Sequence, residues 1–401
     1  LTVTENVFVS NNLTVTKDLT VQEDAFVIQD LTVTENVFVS NNLTVTKNAL
    51  IAKDLTVQEN AFVSNNLTVT KDLTVQEDAF VIQDLTVTEN VFVSNNLTVT
   101  KNALITKDLT VTENVFVSNN LTVTKDTLIT KDLTVTENVF VSNNLTVTKN
   151  ALIAKDLTVQ ENAFVSNNLT VTKDLTVVEN VLVSNNLTVT HDVTVVDNVY
   201  VSNNLTVTKN ALITKDLTVQ ENAYVSNNLT VTKDLTVSEN AFVTNNLTVS
   251  KDLTVQEDAF VVKDLTVTEN AFVSNNLTVT KDLTVSENAF VTNNLTVSKD
   301  LTVQEDAFII KDLTVTENAF VSNNLSVTKD FTVDTNTFYV DSVNNSVGVG
   351  TLDPDAKLHV VGNVYVSSNL TVDENTLHVD ATTHRVGIET KNPHANLHVV
   401  G

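Results

Sequence analysis

The first 36 residues read LTVTEN-VFVSNN-LTVTKD-LTVQED-AFVIQD-LTVTEN, and this six-residue pattern continues without a gap to residue 336. Position three of the 56 hexads is Val in 50 and Ile in the other six, and position six is always Asn or Asp. Position one is mostly Leu, Ala or Val, and position two is mostly Thr. Apolar and polar residues therefore alternate over positions one to four, as in a strand with one buried face. The repeat predicts one short strand in each hexad, with positions five and six at the corner.

A strand this short cannot bury its apolar face alone, so the hexads are predicted to stack into an all-β solenoid. We expect a triangular β-helix in which the side chains of positions one and three fill the axis. Position-two side chains, including the Phe residues, should then point outward. Hexads with Phe at position two usually carry Ala or Val at position one, and a one-residue slip that turns Phe26 and Ile28 inward is the alternative. Asn and Asp tolerate the left-handed backbone conformation, and we expect this property to let position six turn the corner without glycine.

Two arrangements of this solenoid fit the repeat. In a single-chain left-handed β-helix, hexad n lies on hexad n+3. In an intertwined parallel homotrimer, hexad n lies on hexad n+1 of a neighbouring chain. Phe, Tyr or Leu at position two never occurs in consecutive hexads, and neither does an acidic residue at position five. Because bulky side chains and like charges are then kept apart, the pattern favours the trimer, whereas the single chain places Glu5 on Glu23.

The composition argues against several classes of function. The 401 residues carry a formal charge of −26, which disfavours binding to nucleic acid phosphate. The absence of Cys removes disulfides, thiolate nucleophiles and zinc–thiolate sites. No apolar run reaches bilayer-spanning length, so no membrane insertion is expected. The chain begins with Leu1 instead of Met, which indicates a fragment or a processed chain.

A second repeat follows the 1–336 shaft. Residues 337–362 and 376–401 match at 13 of 26 positions, and a shaft-like connector at 363–375 separates them. Each copy reads as a strand, a polar turn, a short strand, a Pro-containing loop and a final strand. Gly348 and Gly387 are expected where the backbone is tight.

The sequence VGVGTLDPDAKLHVVG at 347–362 resembles the module found near the ends of tail-fibre and surface-fibre proteins of bacteriophages and large DNA viruses. The LTVT-rich hexads resemble the shafts of the same proteins. The second module departs from the pattern, because Glu389 replaces its second glycine. The resemblance implies a structural fibre shaft, extracellular or on the virion surface. Such a shaft would hold a tip, not present in this chain, at a distance from its base for binding a host cell-surface receptor.

Two other functions are compatible with a solenoid of this kind. The first is a cell-surface adhesin or matrix filament, in which outward Phe and Thr rows bind or drive lateral fibre association. The second is an ice-binding β-solenoid, because Thr-x-Thr repeats resemble the threonine arrays of such proteins. It is the less favoured of the two, since the LTVT hexads of a single-chain coil should scatter over three faces without forming a regular plane.

Candidate site residues are few. Hexapeptide β-helix acyltransferases resemble the shaft in period, but they use a catalytic histidine and glycine-containing hexads. The shaft has one histidine, His191, at a position-five corner, so we predict no catalytic or cofactor-binding residues and no enzyme. His359 and His398 recur at equivalent places in the two modules, where we expect them to pack on a strand face and predict no metal site. The alternative is a metal site in which trimer symmetry gathers these imidazoles around the axis.

The corners raise two further possibilities. Stacked Asp and Asn side chains could hold calcium or another divalent cation, although solvated corners with amide hydrogen-bond ladders are expected in preference. The repeat also creates N-x-S/T sequons, which are glycosylation candidates. Those singled out are Asn12, Asn42, Asn66, Asn96, Asn324 and Asn369.

Overall fold

The computed structural model describes residues 1–334, 337–373 and 376–400, and these ranges contain strands and turns without a helix. The last residues of the predicted shaft, connector and second module therefore lie outside the described residues. The chain forms two compact units, Leu1–Lys329 and Asp330–Gly401.

The strands follow the hexads. β1 is Thr2–Val3, β2 is Val7–Val9 and β3 is Leu13–Val15, and each later strand starts six residues after the one before it, up to β56 at Phe331–Val333. From β2 to β56, each strand covers positions one to three, which is one residue fewer than the four over which apolar and polar residues alternate in the sequence. The remaining strands are β57 (Phe338–Asp341), β58 (Ser346–Val349), β59 (Leu358–Val360), β60 (Leu370–Val372), β61 (Leu377–Asp380), β62 (Arg385–Ile388) and β63 (Leu397–Val399).

Hexad n pairs in parallel with hexad n+3 of the same chain, so that 18 residues make one coil. Leu55 lies opposite Leu73, for example. The strands form three sheets, each containing every third strand: sheet A from β1 to β55, sheet B from β2 to β53 and sheet C from β3 to β54. The fold is a parallel β-solenoid of about 18 coils, since coils of stacked strands repeat along one axis.

This register is that of the single-chain alternative and not that of the intertwined trimer, which the sequence favoured. Backbone bonds connect each strand to the coils on both sides of it. The Leu19 N–H donates to the Asn36 carbonyl at 2.9 Å, and the Gln22 N–H donates to the Val3 carbonyl at 3.0 Å. One chain therefore satisfies the backbone groups that a short strand cannot pair within itself.

The core consists of the side chains at positions one and three. From Leu19 to Val315 these side chains are no more than 4% exposed. Position two faces outward, as predicted: Phe92 is 40% exposed, whereas its neighbours Val91 and Val93 are buried. The alternation that defines the hexads is thus the alternation of a strand between core and solvent.

The predicted reason for Asn and Asp at position six is wrong. Among the described residues, the non-glycine residues with positive φ are Asp334, Asn345, Asp373, His384 and Glu389. None of the position-six residues from Asn6 to Asp330 is in the left-handed region. The corners close in ordinary backbone conformations, so another property must explain this invariant position.

Thr127 is a polar residue in the apolar core. It occupies position one between Leu109 and Leu145, and only 1% of it is exposed. Its hydroxyl has no hydrogen-bond partner among the described residues. We expect Thr127→Val to raise the free energy of unfolding by about 1–2 kcal/mol, because the isosteric methyl group removes a buried, unsatisfied hydroxyl.

Urea denaturation measures this change, and the outward-facing Thr134→Val is the matched control, with an expected effect near zero. A lower midpoint for Thr127→Val than for the unmodified chain would contradict the assignment of this hydroxyl as unsatisfied.

The second unit contains two copies of one four-stranded module. β56 pairs antiparallel with β57, β57 pairs antiparallel with β58, and β58 pairs parallel with β59. β60 to β63 repeat this order. The first strand of each module comes from a shaft-like hexad, at 331–336 and 370–375, which precedes the repeat seen in the sequence.

The expected need for glycine is confirmed at equivalent positions of the modules. A Cβ on Gly348 would lie 2.2 Å from the Thr351 carbonyl oxygen, and one on Gly387 would lie 2.0 Å from the Thr390 carbonyl oxygen. Gly350 has a φ of 79°, and Glu389 at the same place keeps a φ of 60°. The second module therefore retains the turn despite losing its glycine.

Candidate functional site

The position-six side chains form hydrogen-bond ladders along the corners. The Oδ1 atom of Asn120 accepts from the backbone N–H of Asn138 at 3.2 Å and from its side-chain Nδ2 at 3.0 Å. The Nδ2 atom of Asn120 donates in turn to Oδ1 of Asn102 at 3.1 Å. The expected ladders are confirmed, and they account for position six: Asn and Asp both carry an oxygen at the right distance from the backbone.

Aspartates also stack in these ladders. Asp156, Asp174 and Asp192 lie on successive coils. Asp156 Oδ1 accepts the backbone N–H of Asp174 at 3.1 Å, and Asp174 Oδ1 accepts that of Asp192 at 3.0 Å. The carboxylates are thus engaged with backbone donors. In the described parts of the chain, no group of three or more His, Asp or Glu residues is arranged to hold a metal ion.

Position five carries ion pairs across coils. Lys215 Nζ lies 2.7 Å from Asp197 Oδ1. Four Glu–Lys pairs have the same 18-residue separation: Glu35–Lys53, Glu89–Lys107, Glu113–Lys131 and Glu137–Lys155. Glu5 and Glu23 are one coil apart, as this register requires. Because all these groups are partly exposed, solvent screens each pair, and charge alone does not select the register.

The outward Phe and Tyr rings stack along the solenoid. Phe8 and Phe26 lie with ring centroids 5.3 Å apart and planes 3° apart. Phe62 and Phe80 form a second pair at 5.4 Å. Two stacks contain three rings, namely Tyr224–Phe242–Phe260 on sheet B and Phe272–Phe290–Phe308 on sheet A. The argument that bulky residues should avoid one another was therefore wrong, because offset aromatic stacking is favourable.

Reading the hexads in consecutive order hides these stacks. They become visible only when every third hexad is compared, which brings Phe8 next to Phe26.

Grooves open where threonine interrupts an aromatic row. Thr44 lies between Phe26 and Phe62 on sheet B, and the groove at this point has a volume of about 430 Å³. A second groove, of about 420 Å³, begins at Phe260 and continues over Thr278. Both combine an aromatic wall with a rim of Asp and Asn corners.

The histidines take separate places. His359 Nδ1 accepts the backbone N–H of Asp355 at 3.2 Å, and His398 Nδ1 accepts that of His394 at 3.4 Å. The two imidazoles are equivalent, as the sequence predicts, but each one closes its own loop. His191 lies at a position-five corner, as predicted, and its Nδ1 atom is buried without a partner among the described residues.

The sequon asparagines belong to hydrogen-bonded positions. Nδ2 donates to an aspartate of the preceding coil in Asn42, Asn96 and Asn324. Oδ1 accepts a backbone N–H in Asn12, Asn66 and Asn369. In Asn42, Asn96 and Asn324, a glycan would be attached to the same Nδ2 atom that donates these hydrogen bonds.

Two aspartates hold the polar turns of the modules. The Asp341 carboxylate accepts the backbone N–H groups of Asn344 and Val343, and the Asp380 carboxylate accepts the Thr383 hydroxyl and backbone N–H. The Asn344 N–H lowers the pKa of Asp341 below its usual 3.8, and the Thr383 hydroxyl does the same for the pKa of Asp380.

We expect the modules to lose stability in acid. A lowered folded pKa means that the stabilising contribution is complete above the unfolded value near 3.8 and disappears as pH falls through the folded value. Thermal melting followed from about pH 6 to about pH 2 measures the loss. When the melting of the modules is followed through their NMR amide signals, the double variant Asp341→Asn with Asp380→Asn should depend less on pH than the unmodified chain. An unchanged pH dependence would contradict these two carboxylates as its origin.

No protein-family model matches the chain, and no match was found among curated proteins or solved structures. Within the described ranges, no helix is both long enough and apolar enough to cross a bilayer.

Proposed function

We propose that this chain is the shaft of an extracellular or virion-surface fibre, which holds a receptor-binding tip away from its base. The observation that supports it is the continuity of the core and ladders: positions one and three stay buried over nearly all coils. Backbone bonds and corner ladders run parallel to the axis, so bending the shaft requires breaking several bonds per coil. A mechanical role needs this property and no reactive group.

The proposed shaft has a triangular cross-section, with one sheet on each side. About 18 coils spaced about 4.8 Å apart give a length of about 90 Å for a single chain, whereas the intertwined homotrimer predicts about 270 Å. Molecular mass in solution, together with rod length by electron microscopy, distinguishes the two. A compact particle of monomer mass would overturn the fibre proposal itself.

A second candidate function is an adhesin or filament whose shaft makes the contacts. The exposed three-ring stacks favour it, because contiguous apolar surface is a common feature of interaction sites. Deleting 330–401 separates the candidates. Continued lateral bundling of the shortened rod supports the filament, whereas rods that stay single both with and without residues 330–401 support the spacer role.

A local threonine column keeps the ice-binding alternative open to test. Thr230, Thr248, Thr266, Thr284 and Thr302 lie in register on five successive coils of sheet C. Only the hexads at 229–234 and 265–270 carry Thr at both positions two and four, because LTVS and LTVQ hexads lie between and after them, so the aligned threonines form a single column and not a Thr-x-Thr plane. Thermal hysteresis of the intact chain, abolished by Thr266→Tyr, would support ice binding, and its absence in the intact chain would eliminate it.

A further inference from the structure

The groove at Thr44 has a duplicate on the same sheet. The register places Thr44 between Phe26 and Phe62, and it places Thr98 between Phe80 and Phe116. The rims also match over a spacing of 54 residues: Asp24, Asn42 and Asn60 in the first copy correspond to Asp78, Asn96 and Asn114 in the second. Asn96 donates to Asp78 at 2.9 Å, as Asn42 donates to Asp24 at 3.0 Å.

The dimensions of the groove suit one ring. Phe62 and Phe80, one coil apart, already touch at 5.4 Å between centroids. Phe26 and Phe62 are two coils apart, so their centres are separated by about 10 Å. Carbon atoms come into contact at about 3.5–4.0 Å, which leaves room for a single ring lying against both Phe faces above the short Thr44 side chain. The open side of the groove allows that ring to belong to a longer molecule.

The rim supplies hydrogen-bonding groups at the edge of the ring. Asn60 Nδ2 donates to Asn42 Oδ1 at 2.9 Å, and Asn42 donates to Asp24 Oδ1. The Asp24 Oδ2 atom accepts no hydrogen bond from the described residues. The Asp24 carboxylate thus offers a hydrogen-bond acceptor beside the two apolar walls formed by Phe26 and Phe62. The negative charge of the chain disfavours an anionic ligand.

We propose that the grooves at Thr44 and at Thr98 each bind a single pyranose ring of a neutral glycan. A pyranose presents C–H groups on its faces and hydroxyl groups around its edge. The faces fit the Phe walls, and the hydroxyls fit the Asp and Asn rim. An aromatic side chain has suitable faces, but only tyrosine has a hydroxyl at its edge. This site does not rest on the proposed spacer role, because either a spacer or a filament could carry it.

Saturation-transfer NMR with the methyl pyranosides of glucose, galactose, mannose and N-acetylglucosamine tests the proposal on the intact chain. Transfer to at least one pyranoside is expected. Thr44→Phe with Thr98→Phe should reduce it by about tenfold or more, because both grooves are then filled. The chain already stacks Tyr224, Phe242 and Phe260 on this sheet, so added rings are compatible with the fold. Thr188→Phe, among threonines of the same sheet, is the matched control.

A second pair of variants removes walls in place of filling the grooves. Phe62→Thr with Phe116→Thr should also abolish transfer, whereas Phe140→Thr, which removes an isolated Phe of sheet C, should leave it unchanged. The proposal is overturned if the unmodified chain shows no transfer to any pyranoside or if the filled grooves still bind. It is also overturned if N-acetyl-tyrosinamide alone gives a signal that these variants remove, since the grooves would then be peptide sites.

Discussion

Val159→Asp is expected to lower the free energy of unfolding of the shaft by at least about 4 kcal/mol, because it buries an unpaired carboxylate on the axis. Val159 is fully buried and is stacked between Val141 and Val177. The described core around it offers no cation, since its inward positions are apolar. The carboxylate must stay protonated, draw water into the core or open the coil.

Gln160→Asp is the matched control, because Gln160 is the next residue and is exposed. Both variants introduce a carboxyl group at nearly the same place in the chain. They differ in whether that group points into the core or into solvent. Urea denaturation and limited proteolysis measure the effect, with new cleavage expected near residue 159 in Val159→Asp alone. Equal midpoints for the two variants would contradict the assignment of position three to the core.

The sequence predicted the features that depend on one hexad. The alternation at positions one to three assigned core and surface correctly, as the buried Val91 and the exposed Phe92 show. It did so because a strand has a period of two wherever one of its faces is buried. The equivalence of His359 and His398 and the tight turn at Gly348 followed in the same way, from local repetition.

Features that depend on which hexads are neighbours were not predictable. Every hexad presents nearly the same strand, so Leu55 could pair equally well with several others. The spacing of Phe residues suggested avoidance, yet Phe8 and Phe26 lie stacked. Repetition of a three-hexad unit produces that spacing without selection, so the spacing could not choose between registers. Nothing in the packing explains why hexads with Phe at position two prefer Ala or Val to Leu at position one.

Asn and Asp at position six of the hexads could serve either of two physical purposes. Asn and Asp are common both in left-handed turns and in side-chain ladders, and the sequence alone does not separate these roles. The backbone angles do, since position six lies outside the left-handed region throughout the described shaft. Substitutions at one corner can therefore test the ladder independently.

Asn120→Ala is expected to lower the free energy of unfolding by about 2–3 kcal/mol, at about 1 kcal/mol for each lost side-chain bond. Three bonds disappear: the one from Asn120 Nδ2 to Asn102, and the two that Asn120 Oδ1 accepts from the backbone N–H and Nδ2 of Asn138. Asn120→Asp should cost less, because it keeps an oxygen for both bonds from Asn138. Asn119→Ala, at the adjacent position five, is the control and should have little effect.

Asn120→Gly decides between the two explanations of the corner. If a left-handed backbone were the reason for Asn, glycine would restore the stability of the unmodified chain, because glycine adopts that conformation without steric cost. The ladder predicts the opposite: Asn120→Gly should be at least as destabilised as Asn120→Ala, since it lacks the amide and adds freedom to the unfolded chain. Urea midpoints of the variants measure this order, and a Gly variant more stable than the Ala variant would contradict the ladder as the reason for position six.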